Sequence, residues 1–102
     1  MTKYELAIDE YGKGKFKTVI EIILDLLPKN EVNLESEEYA NILLYLGSSR
    51  LEIFKSDKSN FLPIYEALTD FATAGNMLLI NHRRISDSIN QKIKECSFYI
   101  NN

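Results

Sequence analysis

Residues 16–27 read Phe16-Lys17-Thr18-Val19-Ile20-Glu21-Ile22-Ile23-Leu24-Asp25-Leu26-Leu27, and whether they form a strand or a helix decides the fold. The β-branched pairs Val19-Ile20 and Ile22-Ile23 favour a strand, where branched side chains pack well on a pleated surface. The spacing favours a helix. Phe16, Val19, Ile20, Ile23 and Leu27 form one stripe at helical period, over a run longer than most strands. Ile22 and Leu26 broaden the stripe, so this helix is expected to lie sandwiched between neighbours. Pro28 ends it, because proline disfavours helical backbone at the residue before it.

Outward from this helix the same period recurs. Thr2-Lys3-Tyr4-Glu5 is a capping box, followed by Tyr4, Ala7, Ile8 and Tyr11 on one face. Gly12-Lys13-Gly14 stops that helix, since glycine supplies a left-handed turn. After the polar segment 28–35, a third helix starts near Ser36. Ser59 or Asn60 caps a fourth, with Pro63 in its first turn, where the missing N–H costs nothing. Gly75-Asn76 is read as an end or a kink of that helix, and Asn81-His82 as a break. A fifth helix carries the stripe Ile85, Ile89, Ile93, Cys96 and Ile100. The expectation is an all-α single domain, 1–102, with helices at 2–12, 15–28, 36–55, 60–79 and 84–100. The layout is two antiparallel helix pairs plus a covering C-terminal helix; a closed four- or five-helix bundle is the alternative.

Composition limits function. The chain has 102 residues, 45% of them hydrophobic, enough for one core without disulfides or metal. Net charge is −3, so nucleic acid is not an expected partner. The acids concentrate in residues 31–70, chiefly Glu31, Glu35, Glu37 and Glu38, where a solvated cluster at a helix start suits the helix dipole. One cysteine, Cys96, makes no internal disulfide and points to a reducing, cytoplasmic compartment. Residues 1–9 do not resemble a secretory signal, and no apolar run approaches the ~18 residues of a membrane span, so no stable membrane insertion is expected.

Small and large residues alternate at fixed offsets. Leu6-Ala7, Gly14-Lys15-Phe16, Val19-Ile20-Glu21 and Ile23 fall in one register, and Pro28 follows. Leu46-Gly47, then Ala67-Leu68, Phe71 and Ala74, form a second set. Ala7, Gly47, Ala67 and Ala74 would let helix backbones approach, with Phe16 and Phe71 filling the gaps. In this, residues 4–75 resemble a pair of tetratricopeptide repeats, a family of helix–turn–helix units of about 34 residues. Two departures stand out: Pro28 arrives about three residues early, and the second set is split by about eight extra residues. An ordinary antiparallel bundle would use alanine in the same places.

The resemblance implies a peptide-binding concave face built from the first helix of each pair. Carried over residue by residue, that face holds Tyr4, Glu5, Ile8, Tyr11, Asn41, Leu44, Tyr45, Ser48 and Glu52. One subclass grips a peptide's terminal carboxylate with Lys, Asn and Arg; here Tyr4, Ile8 and Tyr45 occupy such positions, so that mode is not expected. The partner-binding residues singled out are Tyr4, Ile8, Tyr11, Leu44, Tyr45 and Ser48, in an apolar-aromatic groove. The expected partner is a protein or peptide, with a homodimer among the alternatives.

Catalysis has little material. His82 lies far in sequence from Cys96, and Cys96 on an apolar stripe reads as a buried, inert thiol. One His and one Cys are too few for a metal, and no cofactor is expected. Gly12-Lys13-Gly14-Lys15 lacks the spacing and flanks of a phosphate loop. His82-Arg83-Arg84 is the one short basic cluster, with binding of an acidic segment or phosphate as its functional alternative. The function expected is a non-enzymatic interaction module, an adaptor or small subunit. By size, helical layout and Ile/Lys/Asn-rich composition the chain also resembles the bacteriocin immunity proteins of Gram-positive bacteria, cytosolic helical bundles that protect the producing cell. That alternative implies a closed bundle with function in the last helix and tail.

Overall fold

A computed structural model describes residues 1–29 and 33–102. Five α-helices account for most of it: α1 (Lys3–Gly12), α2 (Phe16–Leu26), α3 (Glu37–Ser56), α4 (Leu62–His82) and α5 (Asp87–Asn101). No strand occurs among the described residues, so the branched run at 19–23 is helical. Part of the expected 28–35 loop, Asn30, Glu31 and Val32, lies outside the described residues.

The helix starts follow local chemistry. Thr2 is extended, and its hydroxyl oxygen accepts from the Glu5 backbone N–H at 3.1 Å. The Glu5 carboxylate accepts in turn from the Thr2 hydroxyl at 3.1 Å, so the capping box closes through the side chain. Ser36 and Ser86 cap α3 and α5 in the same way, accepting from the N–H of Tyr39 and Ile89. Gly14, at φ +74°, makes the left-handed turn between α1 and α2. Its N–H bonds to the Tyr11 carbonyl at 3.0 Å, while Lys15 N–H reaches the Glu10 carbonyl at 3.0 Å.

Three boundaries differ from expectation. Pro28 falls in a short 3-10 turn, Leu27–Lys29, so α2 stops sooner. The N-cap of α4 is Phe61, without a side-chain cap; Asn60 instead accepts from Leu62 N–H at 3.2 Å. Gly75-Asn76 does not end α4, which continues to His82, three residues past the expected 79. It stops at Arg83, left-handed at φ 49°, and α5 opens only at Asp87. Ile85 therefore lies off the helix and is 70% exposed rather than part of the buried stripe.

Packing makes α3 the central helix. Ala40, Ile42, Leu43, Leu46, Gly47, Leu51 and Phe54 are all buried on it. Its largest interface is with α4, through Ile64, Ala67, Phe71 and Ala74, all fully buried. Gly47 is required there: a Cβ on it would sit 2.8 Å from the Phe71 ring. Arg50 on α3 ties the same interface, pairing with Asp70 at 2.8 Å and Glu66 at 3.5 Å. On the other side α3 meets α2, whose Val19, Ile23 and Leu26 are buried. Helix α2 thus lies between α1 and α3, as its broad stripe suggests, with Leu24, outside that stripe, 47% exposed.

The helix contacts form an open stack. Sequential helices pack together, and α3 additionally touches α1 and α5. Among the described residues α2 has no close backbone approach to α4, nor α1 to α4 or α5. So α1, α3 and α5 share one side, and α2 and α4 the other. Helix α5 is fastened to α4 by Ile89 and Cys96, and to α3 by the Lys55–Glu95 pair at 2.8 Å and the Phe54–Tyr99 ring contact at 5.3 Å. No helix is long and apolar enough to cross a membrane among the described residues.

Candidate functional site

The side shared by α1, α3 and α5 carries a groove of about 380 Å³. Helix α1 contributes Tyr4 and Tyr11, α3 contributes Asn41, Leu44, Tyr45 and Ser48, and α5 contributes Ser88 and Lys92. Each set has helical spacing: seven apart on α1, three and four apart on α3, four apart on α5. Residues so spaced share one face, and the packing of α3 against α1 and α5 brings the three faces together.

Tyr45 is the hub. Its ring meets the edge or face of Tyr11 at 5.3 Å and of Tyr4 at 6.3 Å, both near-perpendicular. Tyr11 in turn meets Phe16 at 5.4 Å, which fixes the α1–α2 turn against the groove wall. Leu44 and Tyr45 are half-buried: each rests on the core with one side open. Ser48 is buried, at 5% exposure, and forms the floor. Burial raises the Tyr4 phenol above its ordinary pKa, with Tyr45 and Glu38 adding to the shift, so its hydroxyl stays a donor at neutral pH.

Five of the six residues expected at the site line this groove. Ile8 does not. Ala7 and Ile8 flank the Tyr4–Tyr11 line of α1 on opposite sides, about 100° apart; Ala7 is fully buried against the core, and Ile8 lies on the other flank. It is half-buried outside the lining. Glu5 is exposed, and Glu52 is engaged by Lys55 at 3.4 Å. Ser88 and Lys92 escaped sequence reading. Their signal was faint: an i, i+4 pair beside the apolar stripe of α5, which only tertiary packing brings opposite Tyr4 and Tyr45.

The other candidates resolve into structure. His82 Nε2 lies 2.7 Å from the Glu35 carbonyl oxygen, and Arg84 pairs with Glu37 at 3.2 Å. The basic cluster thus pins the α4–α5 junction to the start of α3. Lys13 pairs with Asp9 at 3.1 Å, closing the α1 turn. Cys96 is fully buried, and burial pushes its thiol up to about 11, so it is not a thiolate at neutral pH. No group of three His, Cys, Asp or Glu side chains that could hold a metal occurs among the described residues. Comparison with known protein families, with curated proteins and with solved structures finds no match to this chain.

Proposed function

We propose that this chain is a non-enzymatic protein-interaction module, an adaptor or small subunit, that binds a peptide or helix in the α1–α3–α5 groove. One observation carries the reading: Leu44 and Tyr45 sit on the central helix yet stay half-exposed, because α5 borders the groove without filling it. Large apolar and aromatic side chains held rigidly at the edge of a concavity are the usual anchors of a partner site. The likeness to tetratricopeptide repeats supports the same reading, and so does the open stacking, with α1, α3 and α5 on one side. The spacing of Gly47 against Phe71 is the close α3–α4 crossing that such a helix pair needs.

The test is affinity capture from the source cell with wild type and Tyr45→Ala, alongside denaturant unfolding of both. The expected outcome is a partner held by wild type and lost from the variant, with a stability loss of only about 1–2 kcal/mol for a half-buried ring. A partner retained equally by both would remove the groove from the interaction.

A further inference from the structure

We infer that the groove's occupant is a peptide segment that sets an acidic side chain against Lys92 and a large apolar side chain against Leu44 and Tyr45. This rests on the groove being the binding site and adds the chemistry of what it binds. The chain as a whole is acidic, at −3, yet none of the groove's lining residues is a carboxylate. Lys92 is the single charged residue in that lining. It is half-buried, and among the described residues it has no ion-pair partner. The acid one turn along α5, Glu95, is committed to Lys55 at 2.8 Å. The other cations around α3 are likewise engaged: Arg50 with Asp70, and Arg84 with Glu37.

A lysine partly removed from water without a counter-charge is an incomplete pair, and an incoming carboxylate completes it. Ser88, four residues before Lys92 on the same face, adds a hydroxyl donor. Opposite stand the rings of Tyr4 and Tyr45 and the side chain of Leu44, which suit a large apolar neighbour. The complement is therefore amphipathic, acidic at one end and apolar at the other. A volume of about 380 Å³ is near the small end of ligand pockets, which limits the contact to a few side chains. Lys92 is the one positive group in the lining and balances one carboxylate.

Selection from a random peptide library tests this, with the peptides displayed internally so that no free terminus is offered. Wild type should enrich peptides pairing Asp or Glu with Leu, Phe, Tyr or Met. Lys92→Glu should enrich Lys or Arg in place of the acid. For an enriched peptide resynthesised with both ends blocked, Lys92→Gln should weaken binding about three- to tenfold and Lys92→Arg should largely preserve it. The Lys92 contribution should shrink as salt rises. Thermal melts of the three variants check that folding is intact. Groove-dependent peptides without acidic enrichment overturn the inference and leave the binding reading standing. No enrichment above a Tyr45→Ala control overturns both.

Discussion

At the residue scale, Gly47 shows how one position ties sequence to fold. Its smallness is legible in the sequence; its reason, the Phe71 ring where a Cβ would go, belongs to a neighbour 24 residues away. Gly47→Ala is expected to destabilise by about 1–3 kcal/mol through overpacking, read as a lower denaturation midpoint at unchanged slope. Ala67, fully buried at the same crossing, should respond to Ala67→Leu in the same direction and range, about 1–3 kcal/mol. Ser49 gives the opposite sign. Its hydroxyl is fully buried with no hydrogen-bond partner among the described residues. Ser49→Ala removes an unsatisfied group and should leave stability unchanged or raise it by up to about 1 kcal/mol.

Asp70 adds a pH dependence at the same scale. Burial raises its carboxyl to about 6, against the opposing pull of Arg50 at 2.8 Å. A carboxyl whose folded pKa lies above its unfolded value binds its proton more tightly in the fold. Its contribution is then most favourable below about pH 4 and declines as pH rises to about 6. The unfolding free energy of wild type minus that of Asp70→Asn should fall by about 1–3 kcal/mol between pH 4 and pH 7, measured by urea titration at each pH. A flat difference would place Asp70 in a better-solvated setting than its 7% exposure indicates.

At the element scale, what was legible was what local chemistry dictates. Thr2 and Ser36 announce helix starts, and Gly14 announces a left-handed turn. The junction after α4 was only partly legible because its cause is tertiary. The sequence leaves the role of His82 and Arg84 open, and their partners, Glu35 and Glu37, stand at the start of α3, far away in sequence. Ile85 looks like the first rung of a stripe until the helix is found to begin two residues later. Helix α5 is fastened to α3 near its C-terminal half, through Glu95 and Tyr99, while Ser88 and Lys92 only border the groove. The role of α5 as a groove wall could not be read from its own sequence, since the stripe predicts which face is buried but not which helix stands across from the flank. Lys55→Ala removes the α3–α5 ion pair. It should lower global stability by no more than about 1 kcal/mol, the value of a partly exposed pair, while raising amide exchange in α5 more than in α3 or α4.

At the scale of the whole molecule, a partner site exists only if the stack is open. The sequence suggests helix pairs and a covering helix, but leaves a closed bundle as the alternative. The contacts place α1, α3 and α5 on one side with a groove between them, and Leu44 and Tyr45 half-exposed within it. The proposed binding depends on that concavity being present before any partner arrives. Hydroxyl-radical footprinting of the free chain, read by mass spectrometry at Leu44, Tyr45, Tyr65 and Phe71 and scaled to each side chain's intrinsic reactivity, measures it directly. Tyr45 should be modified at a rate between that of Tyr65, which is 51% exposed, and that of Phe71, which is fully buried. Protection of Tyr45 and Leu44 equal to that of Phe71 would mean a filled groove and contradict the account.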